Sequence, residues 1–199
     1  MPITSDALSG LIIADLNIKR GNVLDALPVY VSQARATKDK TLILKSYNLA
    51  KFRSDIETMI EMADLWFAME PDNPSPHLAK IENYLFLKEP LSAINHGLWI
   101  YNFNGDINPL IYIITQSQNI GLKPTELISI ISTESQSSEI DHLINTLSGI
   151  VSNREGDLEK AEAALKKALD ARPYEVQTTI RLAQVLIKKG KLEEAISVL

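Results

Sequence analysis

The sequence predicts an all-α protein in which about six antiparallel helix pairs follow one another along a single array. One observation is a near copy, because the segment GDLEKAEAAL at 156–165 recurs 34 residues downstream as GKLEEAISVL. The other is a set of short turns, rich in helix-breaking residues, that recur at almost the same interval along the whole chain. Such a period is typical of helical repeat arrays, in which each copy is one helix pair.

Six turns define the repeats. They are centred on Gly21, Ser54, Lys88, Gly121, Gly156 and Gly190. The gaps between them are 33, 34, 33, 35 and 34 residues. Glycine favours the left-handed conformation that ends a helix, and a following Asn or Asp can cap the next one. We therefore place one helix pair around each turn and treat residues 1–199 as a single array.

The composition excludes several classes of protein. Of the 199 residues, 45% are hydrophobic and 23% are charged, as in ordinary globular proteins, and the apolar runs are too short to span a membrane. A net charge of -5 argues against binding of nucleic acid, which relies on clustered Lys and Arg. The absence of cysteine excludes disulfides, thiolate metal sites and cysteine nucleophiles.

The first two repeats contain apolar residues at helical spacing, and in both of them prolines interrupt this pattern. Pro28 lies inside the second helix of repeat one, where it removes a backbone donor and predicts a kink or a late helix start. In repeat two, three prolines at 71, 74 and 76 predict a firm helix end. Trp66 comes just before that end, and a large aromatic residue there predicts a wedge between neighbouring helix pairs.

The third and fourth repeats differ in how closely they follow the repeat pattern. Ala93 and Gly97 place small residues in repeat three where two helices must approach closely. Repeat four lacks such residues and is the weakest copy. The polar segment TESQSSE at 133–139 follows it, so any hinge between repeats one to four and repeats five and six is expected there.

Repeats five and six are the most regular. The last helix runs to Leu199 without a cap or a polar outer helix. Terminal repeats of an array need a face that tolerates solvent. The sequence therefore predicts that the sixth repeat is truncated and that the chain is a fragment or part of a longer array.

These features resemble the tetratricopeptide repeat family. Repeat five carries the family pattern of small residues, a turn glycine and a closing proline at Gly149, Gly156, Ala161, Ala168 and Pro173. The phrases LIIADLNIKRG and MADLWFAMEPDNP in repeats one and two are also similar to bacterial, specifically proteobacterial, envelope-associated members. The resemblance implies a right-handed α-solenoid whose first helices line a concave groove for peptides or helices.

Transferred by position, the resemblance predicts which residues face that groove. They are polar or aromatic residues on the first helices, a mixture suited to orienting a partner while burying it. The predicted groove residues are Lys45, Asn48, Phe52, Glu82, Tyr112, Thr115, Arg181 and Gln184. The family's carboxylate-gripping mode is not expected, because Leu11 and Asp15 stand where repeat one would need Lys and Asn.

The sequence contains no recognisable catalytic or cofactor motif. His77, His96 and His142 lie at no metal-binding spacing, and phosphate-binding loops and nucleophile elbows are absent. We therefore predict a protein that is not an enzyme and that uses no metal or other cofactor.

A charge-poor segment is the main departure from the repeat pattern. Between 91 and 133 only Asp106, Lys123 and Glu126 are charged, three residues of 43 where the average predicts about ten. An array exposes much surface, so this segment either leaves an apolar patch or is covered within the chain. The first alternative predicts an interface for a partner or for self-association into a homo-oligomer, with anchors at Trp99, Tyr101, Phe103 and Tyr112.

The sequence thus predicts a scaffold that docks a peptide, helix or protein subunit. Two alternatives stay open: a regulatory or targeting region of a larger enzyme or secretion machine, and a secretion chaperone. The envelope resemblance favours the periplasm if an export signal has been removed, whereas a start at Met1 favours the cytoplasm.

Overall fold

The computed structural model describes residues 5–135 and 140–199. All regular structure in these ranges is helical, which confirms the predicted all-α class. Two compact units are present, one ending at Glu89 and the other beginning at Pro90. The hinge predicted at 133–139 falls largely on residues outside the described ranges, so it stays a prediction.

The first unit contains two complete helix pairs and the first helix of a third. Its helices are α1 (Ser5–Lys19), α2 (Val23–Thr37), α3 (Lys40–Arg53), α4 (Ile56–Met69) and α5 (Pro74–Phe86). Its core includes the fully buried side chains of Tyr30, Ile43, Met59 and Met62. Trp66 packs against this core, and its Nε1 donates a hydrogen bond to Glu70 Oε2 at 3.2 Å; its predicted role as a wedge between helix pairs stays a prediction.

The second unit continues the pattern with one interruption. Its helices are α6 (Pro90–Asn104), α7 (Asn108–Thr115), α8 (Ser117–Ile120), α9 (Pro124–Glu134), α10 (Ile140–Glu155), α11 (Leu158–Ala171), α12 (Val176–Lys188) and α13 (Leu192–Val198). The first helix of repeat four is broken at Gln116 into α7 and α8. The weakest copy in the sequence is therefore also the irregular one in the structure.

The six predicted turns share one backbone conformation. Every residue chosen as a turn centre has a positive φ, between 55° at Ser54 and 86° at Gly156. Aspartates at several helix starts add side-chain caps; Asp39, Asp55 and Asp157 each accept a hydrogen bond from the N–H group three residues later. This agreement confirms the repeat register read from the sequence.

Of the two alternatives predicted for Pro28, the late start of α2 is wrong, and the kink stays a prediction. The helix begins at Val23 and continues through Pro28 without a break. Pro28 and Leu24 are both exposed, so water can hydrate the carbonyl of Leu24, which lacks its usual donor. The free-energy cost of the missing hydrogen bond is thereby small enough for α2 to continue through Pro28.

Glycine allows close helix packing at two positions in the second unit. A Cβ atom on Gly149 of α10 would lie 2.5 Å from Leu165 Cγ of α11 and 3.3 Å from the backbone oxygen of Ala161. A Cβ atom on Gly97 of α6 would lie 2.7 Å from Leu110 Cδ2 of α7. The contact at Gly149 confirms a small residue at the closest approach within repeat five, whereas Gly97 lies against α7 of repeat four and not, as predicted, against the other helix of repeat three.

A buried carboxylate joins repeats five and six. The side chain of Glu162 is 9% exposed and lies 2.6 Å from the ammonium groups of both Lys166 and Lys189. Lys191 approaches the same carboxylate at 3.1 Å. Hydrogen bonds from these lysines lower the pKa of Glu162 from 4.5 to about 2. Glu162 therefore stays ionised throughout the neutral pH range.

Candidate protein-binding surface

The first helices of the three repeats in the first unit lie side by side. The carboxylate of Asp15 on α1 accepts hydrogen bonds from Tyr30 Oη of α2 at 2.5 Å and from the ammonium group of Lys45 on α3. These two donors lower the pKa of Asp15. Between α3 and α5, Glu82 accepts hydrogen bonds from Tyr47 Oη at 2.9 Å and from Lys51 Nζ at 2.6 Å. Helix α3 is therefore held between α1 and α5 by polar contacts.

Helix α3 presents an alternation of apolar and polar residues on one face. Leu44, Asn48 and Phe52 are four residues apart, a spacing that stacks side chains on the same side of a helix. Leu44 is half-buried and Asn48 is exposed. The ring of Phe52 is 79% exposed, a large apolar surface in water.

Helix α5 repeats this arrangement 34 residues later. Leu78, Glu82 and Phe86 have the same four-residue spacing, and Phe86 is 53% exposed. Leu78 is exposed as well, at 45%. We call the six residues on the two helices the α3/α5 surface. It consists of two apolar rows with a polar row between them.

The structure divides the predicted groove residues of the first unit into two groups. Asn48 and Phe52 are exposed on the α3/α5 surface, and their role in facing a groove stays a prediction. Lys45 and Glu82 are occupied by ion pairs within the chain, so they position helices and shape the surface. The prediction missed Leu78 and Phe86, although their 34-residue distance from Leu44 and Phe52 was visible in the sequence.

The predicted groove residues of the second unit lie on two different helices. Tyr112 and Thr115 are exposed on α7, where Thr115 Oγ1 donates a hydrogen bond to the backbone oxygen of Tyr112 at 2.7 Å. Gln184 is exposed on α12. Arg181 is mostly buried, and burial lowers its pKa; its Nε has no hydrogen-bond partner among the described residues. The exposed residues of this group thus lie on two different helices, and the groove-facing role of all four residues stays a prediction.

The aromatic anchors predicted in the charge-poor segment require one correction. Trp99 and Phe103 stack on each other with ring centroids 5.0 Å apart, and Phe103 is 56% exposed. Tyr101, however, is only 7% exposed, so it is a core residue and not a surface anchor. It follows Gly97 by four residues and therefore shares the face of α6 that contains this buried glycine.

Burial accounts for much of the charge-poor segment. Twelve apolar residues between 91 and 133 are buried: Ala93, Ile94, Leu98, Ile100, Tyr101, Ile107, Leu110, Ile113, Ile114, Leu127, Ile128 and Ile131. These residues lie on α6, on α7, on α9 and just before α7. The second unit therefore uses this segment as core, and an interface or homo-oligomer formed through residues 91–133 stays a prediction.

One cleft accompanies the broken helix of repeat four. It has a volume of about 260 Å³ and is lined by residues of α7, α8, α9 and α10, including Thr115, Ser117 and Arg154. Its lining mixes apolar, hydroxyl and charged groups. This mixture defines no catalytic arrangement.

The histidines of the described chain do not form a metal site. His77 and His142 are buried, and each has a ring nitrogen within hydrogen-bond distance of a backbone oxygen, Pro71 O at 2.9 Å and Ala168 O at 3.0 Å. Burial lowers the pKa of His77. Within residues 5–135 and 140–199, no group of three potential ligands could hold a metal ion. Across the same ranges, no helix is both long and apolar enough to cross a bilayer.

Comparisons with known proteins agree with this architecture. Residues 153–199 match the family model described as tetratricopeptide repeat. This part of the chain is therefore similar to tetratricopeptide repeats. The resemblance predicted from Gly149 to Pro173 is thereby confirmed.

The tetratricopeptide fold also extends beyond the matched residues. A crystal structure of a tetratricopeptide repeat protein from Parabacteroides merdae aligns with 98% of this chain and 78% of its own, at 13% identity and a TM-score of 0.51. MamA from Desulfovibrio magneticus RS-1 aligns with 99% of this chain and 93% of its own, at 16% identity and a TM-score of 0.38. The likeness to the Parabacteroides merdae protein shows the shared fold.

The tetratricopeptide assignment bears on function at a coarse level. Arrays of this kind present extended binding surfaces and generally act as scaffolds without catalytic chemistry. The match over residues 153–199 therefore supports a protein-interaction scaffold. The similarity of repeats one and two to envelope-associated proteins stays a prediction.

Proposed function

We propose that this chain is a scaffold that binds a peptide or helix of a partner protein on the α3/α5 surface. One observation carries the proposal: Phe52 and Phe86 occupy equivalent positions in neighbouring repeats and are 79% and 53% exposed. Aromatic side chains are enriched among the residues that dominate binding energy at protein interfaces. Two of them at one repeat interval provide paired anchors on neighbouring first helices.

The apolar rows supply affinity. Full burial of an exposed phenylalanine contributes about 2 kcal/mol from the hydrophobic effect alone. Leu44 and Leu78 extend the apolar area on the other side of the polar row. A partner that presents apolar side chains at matching intervals would cover both rows at once.

The polar row supplies orientation. The exposed amide of Asn48 can both donate and accept hydrogen bonds, so it can pair with a peptide backbone. Glu82 is already held by Tyr47 and Lys51, which fixes its carboxylate before a partner arrives. Such preorganisation reduces the entropy lost on binding.

The proposal is tested with peptides selected from a random display library against the full chain. Selected peptides are titrated by fluorescence anisotropy against the unchanged chain and against a Phe52→Glu/Phe86→Glu variant. We expect this variant to weaken binding by about 100-fold, since losing two buried aromatic anchors costs roughly 3 kcal/mol.

Leu24→Glu is the matched control. Leu24 is 65% exposed but lies on α2, outside the α3/α5 surface, so this variant should bind within about twofold of the unchanged chain. Peptides that bind the double phenylalanine variant as tightly as the unchanged chain would show that the surface lies elsewhere.

A further inference from the structure

The cleft at the broken helix of repeat four, which we call the repeat-four cleft, has apolar walls. These walls include Ile114 of α7, Pro124 of α9 and Val151 of α10. Ile114 and Val151 are only 5% and 6% exposed, and Pro124 is half-buried. The helices that line the cleft, α7 to α10, all belong to the second unit. Repeats four and five therefore form the cleft between them.

Ser117 places a buried hydroxyl group in the repeat-four cleft. The residue is 4% exposed and is the first residue of α8, directly after the break at Gln116. Its backbone oxygen accepts a hydrogen bond from the N–H group of Leu122 at 3.0 Å, whereas its hydroxyl group has no hydrogen-bond partner among the described residues. The hydroxyl group of Thr115, by contrast, bonds the backbone oxygen of Tyr112. Because a buried polar group without a partner costs free energy, Ser117 favours a ligand with a hydrogen-bond acceptor.

One cation and one anion also line the repeat-four cleft. They are Arg154 and Glu155, and both are exposed. Because these residues are consecutive on α10, their side chains diverge and do not face each other. No described residue forms an ion pair with either of them, and Lys160, which interacts electrostatically with Glu155, is itself paired with Asp157 at 2.7 Å. Both charges are therefore available to a ligand.

The size and the charges of the cleft together define a class of ligand. Its volume of about 260 Å³ lies below the range of roughly 300–1,000 Å³ that is usual for drug-sized ligands. A guanidinium group recognises a carboxylate through two parallel hydrogen bonds, and a carboxylate in turn pairs with an ammonium group. A small zwitterion with one apolar side chain would therefore meet Arg154, Glu155 and the apolar walls at once.

The end of a peptide fits this arrangement less well. A C-terminus provides a carboxylate without an ammonium group beside it, and an N-terminus provides the ammonium group without the carboxylate. Either end would leave one of the two charges in the cleft without a partner. A free amino acid has both groups on one carbon atom.

We propose that the repeat-four cleft binds a free α-amino acid with an aliphatic side chain. Arg154 pairs with the carboxylate of this ligand, and Glu155 pairs with its ammonium group. The hydroxyl group of Ser117 donates a hydrogen bond to the carboxylate, and the aliphatic side chain packs on the apolar walls. The site does not involve the α3/α5 surface, so it exists whether or not that surface binds a peptide.

The test is titration of the full chain with L-leucine, followed by two-dimensional ¹H–¹⁵N NMR. L-leucine should cause saturable shifts at millimolar concentrations, largest at residues that line the cleft, such as Ser117 and Val151. The affinity is weak because a ligand with so few atoms makes few contacts. N-acetyl-L-leucine lacks the ammonium group and L-leucinamide lacks the carboxylate, so each should bind about tenfold more weakly than L-leucine.

Variants at the two exposed sites separate the two charges. Arg154→Gln and Glu155→Gln should each weaken the binding of L-leucine by about tenfold. Glu155→Gln should leave the affinity for N-acetyl-L-leucine unchanged, because that ligand has no ammonium group to lose its partner. Lys167→Gln and Asp170→Asn are the matched controls, since both residues are exposed on α11 outside the cleft, and these variants should bind L-leucine as the unchanged chain does. Circular dichroism checks that each variant is folded.

Three results would overturn the proposal. The first is a lack of saturable shifts up to the solubility limit of L-leucine, and the second is saturable shifts that lie outside the cleft. The third is an affinity for L-leucine that neither Arg154→Gln nor Glu155→Gln lowers. The Phe52→Glu/Phe86→Glu variant should bind L-leucine as the unchanged chain does, so a failure of the α3/α5 surface is distinguished from a failure of this site.

Discussion

The closest approach of α10 and α11 gives a quantitative prediction for Gly149→Ala. Removing a glycine from a helix interior favours folding by about 1 kcal/mol through helix propensity. The added Cβ, however, would lie 2.5 Å from Leu165 Cγ, which is a branch atom of a fully buried side chain, and 3.3 Å from a backbone oxygen. Overpacking of this kind costs about 3 kcal/mol. We therefore expect the variant to lose about 2 kcal/mol of unfolding free energy.

Gly10→Ala is the matched control, because Gly10 also lies in a helix but its added Cβ would meet Val29 Cγ1 at an ordinary 3.6 Å. This variant should gain about 0.5–1 kcal/mol. Urea denaturation followed by circular dichroism measures both changes. Combining Gly149→Ala with Leu165→Ala should show a favourable coupling, since the second change removes the clash. The reasoning fails if Gly149→Ala stabilises the chain as much as Gly10→Ala does.

Three further predictions concern polar groups. Thr146→Val removes the buried hydrogen bond between the hydroxyl groups of Thr146 and Thr178 and should lower the unfolding free energy by about 1 kcal/mol, measured by urea titration; Thr146→Ser, which keeps the hydroxyl, is the control. The pKa of Glu162 is lowered from 4.5 to about 2, so ionised Glu162 stabilises the fold fully above pH 4.5 and this contribution is lost as the pH falls towards 2. Glu162→Gln should therefore make the urea midpoint depend less on pH between these two values. Asp55→Ala removes the cap of α4 and should lower the unfolding free energy by about 1 kcal/mol, whereas Asp55→Asn should retain most of it in the same assay.

The repeat register could be predicted because it depends on local chemistry. Turn centres such as Gly21 and Ser54 lie next to residues that end one helix and begin the next, and these effects act within a few positions. The break at Gln116 could not be predicted in this way, since no proline or glycine marks it. The continuity of α2 through Pro28 depends on solvent exposure, which is a property of the folded surface.

The contacts of the proposed α3/α5 surface were only partly predictable for a related reason. Sequence position places Glu82 on the same face of α5 as Leu78 and Phe86, but its pairing with Lys51 is a contact between two helices and between residues 31 positions apart in the chain. Tyr101 was assigned to an interface because its surroundings lack charge, whereas the structure uses the same residues as core. A lack of charge indicates that a segment is covered without indicating what covers it.

The shared left-handed conformation of the six turns has a consequence for how the protein can evolve. A duplication or deletion between any two of these turns, for example from Gly156 to Gly190, rejoins the backbone in the same geometry and removes or adds one complete helix pair. The array can therefore change in length by whole repeats without disturbing the register of the remaining helices. Selection can in this way change the number of repeats without changing the residues that recognise a partner.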